Sequence, residues 1–271
     1  MTEGNHDVPP LSFLKEIAME AGIVMRAYFP EPGRMKPDMK PDNTPVTEVD
    51  RRISELVRGY VSKKYPYIGI LCEEGGYGER KRIEFIVDPL DGTAGFARGD
   101  ASAVFAVAVA VDGEIVHSVI YNPLTCTKPR MFSASKDVGA FINNHRMSVS
   151  QVLGTSVRPS VGIATWPNCR VGGILKIADE LQRREICIVG VTSISLTSAL
   201  VAAGSLVGVI MPGQHLHDAA PGDLLVQEAG GMTTDLRGNP LRYDGEEVDG
   251  FVFSNGRFHN FFLEVVQKHY P

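Results

Sequence analysis

The sequence lacks several features that would assign it to common classes of protein. Its 271 residues include four cysteines and one tryptophan. The cysteines, Cys72, Cys126, Cys169 and Cys187, lie far apart, without a CxxC pair or a histidine at short spacing. That spacing argues against a disulfide framework and against a structural zinc site.

Long runs of basic or apolar residues are also missing. Lys and Arg total 27 against 32 Asp and Glu, a formal net charge of −5, and no basic run could neutralise a polymer of phosphates. The longest apolar run, 103–111, spans nine residues, whereas a membrane-spanning helix needs about 20. The first residues show no secretion signal. We therefore expect a cytoplasmic protein that binds neither nucleic-acid polymers nor membranes.

Apolar residues make up 44% of the chain, which is enough to bury a large core. Their spacing predicts two subdomains, an α+β subdomain over 1–150 and an α/β subdomain over 151–271. In the first, we expect helices at 11–29 and 47–65, loop or short extended chain at 30–45, and strands at 68–72, 83–87, 103–111 and 115–121. In the second, we expect helices at 171–184, 194–203, 218–229 and 259–268, and strands at 160–165, 186–189, 206–210, 232–235 and 251–254.

The strongest local signal is the run Asp88-Pro89-Leu90-Asp91-Gly92-Thr93, directly after the strand 83–87. Pro89 fits the second position of a turn, and Asp91-Gly92 can supply a left-handed residue. Both carboxylates would then lie at the end of the strand and could point at one spot. A simple Asp-Gly turn is the alternative interpretation.

Three further acidic positions accompany this run. Glu73-Glu74 ends another strand and leads into Gly75-Gly76, where repulsion between adjacent acids calls for a cation or a basic group. A solvated acidic turn answered by Arg80-Lys81-Arg82 is the alternative. Asp218 opens a mostly apolar helix, where it could be an N-cap. Asp50 lies one turn past Thr47, which could cap its own helix.

Together these residues form a set of hard oxygen donors with almost no nitrogen or sulfur, which suits Mg²⁺ rather than zinc or copper. Two or three Mg²⁺ ions would neutralise the carboxylates, bind a phosphate dianion and activate a water near neutral pH. The amides of Gly92 and Thr93, at the start of a short helix through 94–96, would add donors for phosphate oxygens. Hydrolysis of a phosphate ester follows from these parts.

The motifs resemble those of the inositol monophosphatase superfamily, which are Mg²⁺-dependent, lithium-sensitive phosphatases. The resemblance rests on VTEVD at 46–50, CEEGG at 72–76, DPLDGTAGF at 88–96 and HDAAPGDLLVQEAGG at 217–231, and it covers nearly the whole chain. It implies a layered αβαβα sandwich of the inositol monophosphatase and sugar phosphatase type, usually a homodimer.

The same resemblance implies ligands for two Mg²⁺ ions. Glu73, Asp88 and the backbone carbonyl of Leu90 would hold one, and Asp88, Asp91 and Asp218 would hold the second. A weaker third ion would be reached from Glu73 and through waters near Asp50.

The resemblance also implies the catalytic and substrate-binding residues. Glu73 and the hydroxyl of Thr93, paired to Asp50, would orient the attacking water, and no covalent phospho-enzyme is expected. Gly92 and Thr93 would contact the phosphate through their amides, with Asp91 and Asp218 beside it, and Ser193 would border the substrate.

The departures from the family pattern concern the substrate. The tryptophan that commonly precedes the last metal aspartate is His217 here, with His215 nearby. His217 is interpreted as a packing or hydrogen-bonded residue, with a substrate or metal role as the alternative. The position of a sugar-binding glutamate is Met211, and the small-residue stretch usual before the substrate-side helix reads 191–195, VTSIS. Both place inositol 1-phosphate in doubt.

We therefore expect a phosphomonoesterase that hydrolyses a small phosphorylated metabolite. Histidinol phosphate, fructose 1,6-bisphosphate, 3′-phosphoadenosine 5′-phosphate and nicotinamide dinucleotide phosphates are alternative substrates known in the family. A non-catalytic member that binds a phosphorylated ligand or a partner subunit is the alternative of another class. It would have lost a ligand, and the family's ligand positions are all filled here.

Overall fold

The computed structural model describes residues 7–30, 35–41, 45–74, 80–125, 128–151, 158–164, 173–213, 216–245 and 248–270. The helices in these ranges are α1 (Leu11–Tyr28), α2 (Glu48–Lys64), α3 (Thr93–Ala97), α4 (Ile174–Arg183), α5 (Ile194–Ala202), α6 (Leu216–Glu228) and α7 (His259–His269). The strands are β1 (Asp38–Met39), β2 (Pro45–Val46), β3 (Gly69–Cys72), β4 (Ile83–Asp91), β5 (Val104–Val111), β6 (Glu114–Asn122), β7 (Arg130–Ser135), β8 (Gly139–Ile142), β9 (His145–Arg146), β10 (Ser160–Ile163), β11 (Cys187–Gly190), β12 (Gly208–Pro212), β13 (Met232–Asp235) and β14 (Gly250–Ser254).

Strands β3 to β9 form a seven-stranded sheet in chain order. Only the first pair, β3 and β4, is parallel; the pairs from β4 to β9 are antiparallel. The alternation along β5 explains how this sheet is covered on both faces. One face carries the small residues Ala106, Ala108 and Ala110, which point into a central core, while Phe105 and Val107 point into an outer core. The small side chains let helices approach the first of these faces closely.

Strands β10 to β14 form a five-stranded sheet in the order β11-β10-β12-β14-β13. Its first three strands are parallel, because α4 and α5 cross from one strand to the next. Its last strands are antiparallel. The fold is therefore mixed, with parallel pairing only where a helix links the strands or at the β3–β4 pair.

The described helices and strands form five layers joined by three apolar cores, the central one of which covers the inner faces of both sheets. Helices α1 and α2 pack on the outer face of the seven-stranded sheet, α5 and α6 lie between the two sheets, and α4 and α7 cover the outer face of the five-stranded sheet. The expected αβαβα sandwich is confirmed. The sheets fall on either side of residue 150, which supports the division into two subdomains; because they share the α5–α6 layer, that division remains a proposal.

Every helix and strand expected from the sequence has a counterpart, with ends that differ by a few residues. The expected start of α4 at Val171 lies outside the described residues. The stretch 30–45 contains the short paired strands β1 and β2. Strands β7 to β9 lie between 122 and 159, where no element was expected. They were not predicted because turns with positive φ at Asp137, Asn143 and Asn144 interrupt their short apolar alternation.

Strand β4 is longer than the sequence predicts, and the difference bears on the site. The strand was expected to end at Val87 with a turn through Pro89, but it continues to Asp91. Asp88 pairs with Ala106 and Asp91 with Val104, so the strand holds one residue more than its partner. That is a β-bulge, a position that tolerates proline. The turn comes afterwards, at Gly92 with φ 92°.

The structure also bears on the cysteines and on membranes. Cys72 and Cys187 are free thiols, and Cys126 and Cys169 lie outside the described residues. Among the described residues, no helix combines the length and apolar character needed to cross a membrane.

Two helical glycines provide a matched test of the central layer. A Cβ on Gly222 in α6 would lie 2.5 Å from the Cβ of Ser198 in α5, whereas one on Gly59 in α2 meets nothing within 4 Å. We expect Gly59→Ala to raise the free energy of unfolding by about 1 kcal/mol through helix propensity. Gly222→Ala should lower it by about 1–3 kcal/mol through overpacking. Urea unfolding midpoints measure both, and a stabilised Gly222→Ala would contradict the close α5–α6 contact.

Candidate active site

The bulge in β4 places two carboxylates on the same face of the sheet. In a regular strand, residues three apart point to opposite faces, and the extra residue between Asp88 and Asp91 cancels that difference. The Asp88 Oδ1 atom accepts the Leu90 N–H at 3.0 Å, which holds the bulge. The sequence predicted that both acids lie at the end of the strand; the bulge that brings them together was not expected.

Asp91 is fixed by the start of α5, far away in the sequence. Its carboxylate accepts hydrogen bonds from the hydroxyl of Ser193 at 3.0 Å, the backbone N–H of Ile194 at 3.1 Å and that of Ser195. Ser193 also caps its own helix, since its Oγ accepts the Leu196 N–H at 3.1 Å. The positive end of a helix stabilises a nearby carboxylate. Ser193, expected to border the substrate, therefore directly positions Asp91.

Gly92 follows in a left-handed conformation at the N-cap of α3. A Cβ at this position would lie 2.9 Å from the carbonyl oxygen of Thr192. Both the positive φ and this contact require glycine. The expected left-handed residue and short helix are confirmed, and they bring the Thr93 hydroxyl beneath the bulge, 2.9 Å from the Leu90 carbonyl.

Asp50 and Thr93 form a hydrogen bond across 43 residues of sequence, with 2.9 Å between the hydroxyl and Oδ1. The other oxygen of Asp50 accepts the Thr47 N–H at 2.8 Å and also contacts the Thr47 hydroxyl. Thr47 accepts the Val49 N–H at 3.2 Å, completing a capping box. The capping role and the pairing with Thr93 therefore coexist, because they use different oxygens of Asp50.

Glu73 follows β3, next to β4, and pairs with a lysine that the sequence analysis missed. Lys40 lies 2.7 Å from Glu73 Oε1 and also contacts Glu74. The alternative, in which Arg80-Lys81-Arg82 answers these acids, is wrong: Arg80 pairs with Glu84, Arg82 with Asp112, and the Lys81 ammonium donates to backbone carbonyls. The need for a basic partner was a signal in the sequence, but Lys40 stands in the proline-rich stretch 33 residues earlier.

Asp218 lies in the first turn of α6, which begins at Leu216. The helix starts two residues before the expected position, so Asp218 is inside the helix rather than at its N-cap. Its Oδ2 atom lies 3.9 Å from Nε2 of His217. Both residues are buried. His215 and Gly75-Gly76 lie outside the described residues.

The carboxylates act on one another strongly. Burial raises the pKa of Asp88 well above its ordinary value, and the charges of Glu73, Asp91, Asp218 and Asp50 raise it further. Burial and the charge of Asp218 raise the pKa of Asp91 to about 6, against the hydrogen bonds that it accepts. Burial likewise raises the pKa of Asp50 to about 6.

Glu73 is the exception. Burial favours its neutral form, but the charges of His217 and Lys40 and hydrogen bonds from Lys40 and Asp88 hold its pKa below the ordinary value. A set of buried carboxyl oxygens under mutual repulsion fits hard divalent cations such as Mg²⁺, which relieve that repulsion.

The chain has close counterparts among known proteins. The model of the inositol monophosphatase family matches residues 8–270. The inositol-1-monophosphatase of Mesorhizobium japonicum is 32% identical over 95% of this chain and 96% of its own. The Nus factor SuhB of Escherichia coli (strain K12) is 28% identical over 85% of this chain and 86% of its own. The structure of Thermotoga maritima IMPase, 26% identical, matches with a TM-score of 0.82 over 95% of this chain and 96% of that one.

These matches, the layered fold and the acidic site define a phosphatase that acts on small phosphorylated substrates. The chain belongs to the inositol monophosphatase family, as its motifs led us to expect. The family is generally metal-dependent, in accord with the acidic cluster described above.

The raised pKa of Asp50 predicts a pH dependence of stability in protein treated with EDTA. The folded protein holds a proton on Asp50 up to about pH 6, while the unfolded chain releases it near 3.8. The folded state therefore loses relative stability as pH rises through this window. We expect the decline in the urea midpoint across the window to be shallower in Asp50→Asn than in the wild type.

Asp179 is a matched control, because its side chain is 62% exposed on α4. Asp179→Asn should retain the wild-type decline, since exposed ion pairs contribute little. An equally steep decline in Asp50→Asn would show that the Asp50 carboxyl keeps an ordinary pKa.

Proposed function

We propose that the chain is a Mg²⁺-dependent phosphomonoesterase, with two or three ions per site, acting on a small phosphorylated metabolite. The observation that carries the proposal is the buried carboxyl of Asp88, on which the charges of Glu73, Asp91, Asp218 and Asp50 all act, with Asp50 in turn hydrogen-bonded to Thr93. Glu73, Asp88 and the Leu90 carbonyl would hold one ion, and Asp88, Asp91 and Asp218 a second. When bound, Mg²⁺ supplies charge neutralisation, Lewis acidity and a lowered pKa for water.

The chain's own residues would position the reactants. Asp50 is fixed by Thr47 through one oxygen, so its other oxygen holds the Thr93 hydroxyl in place. With Glu73, this hydroxyl would orient the attacking water. The anchoring of Asp91 by α5 fixes the ligand next to Gly92, whose amide would contact the phosphate together with that of Thr93. Ser193 and Asp218 would complete the substrate side.

Met211 bears on which alcohol the phosphate ester carries. This residue stands on β12, is fully buried and belongs to the central core. It offers no carboxylate to a polyol, and a buried hydroxyl without an acceptor binds poorly. Inositol 1-phosphate, the substrate class in the name of the 32% identical relative, therefore competes with histidinol phosphate, fructose 1,6-bisphosphate, 3′-phosphoadenosine 5′-phosphate and NADP. Cytoplasmic location and homodimer assembly belong to the same proposal.

Release of inorganic phosphate from these five compounds, with and without Mg²⁺, tests the activity. We expect one of them to be turned over far faster than the others, and only with Mg²⁺. If none is hydrolysed although the cation binds, the alternative of a non-catalytic member that binds a ligand or a partner would replace this proposal.

Asp91→Asn tests the metal assignment. The amide removes a negative charge from the set that would bridge two cations, so turnover should fall at least ~100-fold while far-UV circular dichroism stays unchanged. Asp179→Asn, on an exposed helix, should keep wild-type turnover. Near-wild-type turnover in Asp91→Asn would mean that Asp91 does not hold an essential ion.

Lithium provides a further test. The family resemblance implies sensitivity to lithium as well as a weakly held third ion. We expect millimolar LiCl to inhibit phosphate release, while equal NaCl does not. Undiminished turnover at high LiCl would show that the third ion is missing or held differently.

A further inference from the structure

The strongest remaining feature is a nitrogen donor inside the acidic site. Glu73, Asp88 and His217 each offer one ligand atom, and these atoms all lie within 4.8 Å of one another. Among the described residues, no other group of three His, Cys, Asp or Glu side chains converges in this way. Metal–ligand bonds of about 2.1 Å separate ligand atoms by up to about 4.2 Å. Neighbouring ligands of one ion lie about 3 Å apart at such bond lengths, so the three side chains need to close by less than about 2 Å to bind one ion.

His217 is held where it lies by its surroundings. It stands in the first turn of α6, is 5% exposed, and its Nε2 atom is 3.9 Å from Asp218 Oδ2. Helix α6 packs between the two sheets, so the backbone that carries the imidazole belongs to the packed central layer. An imidazole fixed beside Glu73 and Asp88 loses little conformational freedom when it binds a cation.

Lys40 does not prevent such binding. Its ammonium group lies 2.7 Å from Glu73 Oε1, but it also contacts Glu74. When a cation binds Glu73, Lys40 remains paired with Glu74. The entry of a cation therefore strands no buried charge, which would otherwise oppose it.

We propose that His217 supplies an imidazole nitrogen to the cation held by Glu73 and Asp88, and that this nitrogen makes the site favour first-row transition ions such as Mn²⁺ over Mg²⁺. Mg²⁺ binds oxygen almost exclusively, whereas imidazole is a good ligand for transition ions. His217 is thus a metal-selecting residue rather than a packing residue. This inference rests on the proposed function, because it assumes that Glu73 and Asp88 hold a divalent cation.

Electron paramagnetic resonance of the Mn²⁺-loaded protein tests the inference directly. A coordinated imidazole gives nitrogen modulation in the electron spin echo of Mn²⁺. We expect this modulation in the wild type and its loss in both His217→Phe and His217→Asn. The first variant keeps a planar ring and the second keeps a polar group, so that one of them is expected to fold. His145→Asn, an exposed histidine in β9, should keep the modulation.

Electron paramagnetic resonance also measures the preference for Mn²⁺ over Mg²⁺, because free Mn²⁺ gives a sharp signal that disappears on binding. Addition of Mg²⁺ should release Mn²⁺ from the His217 variants at concentrations about tenfold lower than from the wild type or His145→Asn. An equal release curve in all four proteins would overturn the selectivity. Modulation that persists in the His217 variants would assign the nitrogen to another histidine and overturn the proposal.

Failure of this inference can be told apart from failure of the proposed function. If Mn²⁺ binds and phosphate is released, but the wild type shows no nitrogen modulation, His217 is not a ligand and the phosphatase assignment stands. If no divalent cation binds at all, both are wrong.

Discussion

Repulsion among carboxyl groups in a space nearly closed to water is the constraint on which this site depends. Asp88 is 3% exposed, and it feels the charges of Glu73, Asp91, Asp218 and Asp50. Such groups can remain together only if protons, hydrogen-bond donors or cations compensate them. The protein supplies donors around the edge of the cluster, through α5 for Asp91 and Thr47 for Asp50. The charge at its centre would be compensated by the cations proposed above.

The same constraint explains why so much of the local backbone is unusual. The bulge in β4 turns Asp91 to the face of Asp88. Gly92, in a left-handed conformation, lets the chain pass so near Thr192 that a Cβ on Gly92 would lie 2.9 Å from the Thr192 carbonyl oxygen. A regular strand followed by an ordinary turn would separate the two acids. Backbone distortion thus creates the repulsion that the proposed cations would relieve.

The sequence reveals the local parts of this arrangement and hides the distant ones. The left-handed Gly92 and the short helix from Thr93 are readable because these residues determine their own conformation, whereas the bulge through Pro89 is not. By contrast, the anchoring of Asp91 by Ser193 joins residues 102 positions apart. Lys40 was missed for the same reason, since no local pattern links a proline-flanked lysine to Glu73. Tertiary packing offsets the entropy lost when distant segments come together, and patterns in a single sequence do not reveal that packing.

The site is therefore a product of the central layer rather than of any one motif. Helix α6 contacts strands of both sheets, and its first turn brings Asp218 and His217 to the carboxylates of β4. That approach depends on the alanines of β5 below it and on Gly222 against Ser198 beside it. Because the proposed ligands come together only when this layer is packed, a cation held by them would bind the folded state and not the unfolded chain. Binding must then stabilise the fold in proportion to its affinity, so that loosening the α5–α6 contact weakens cation binding even where no ligand is changed.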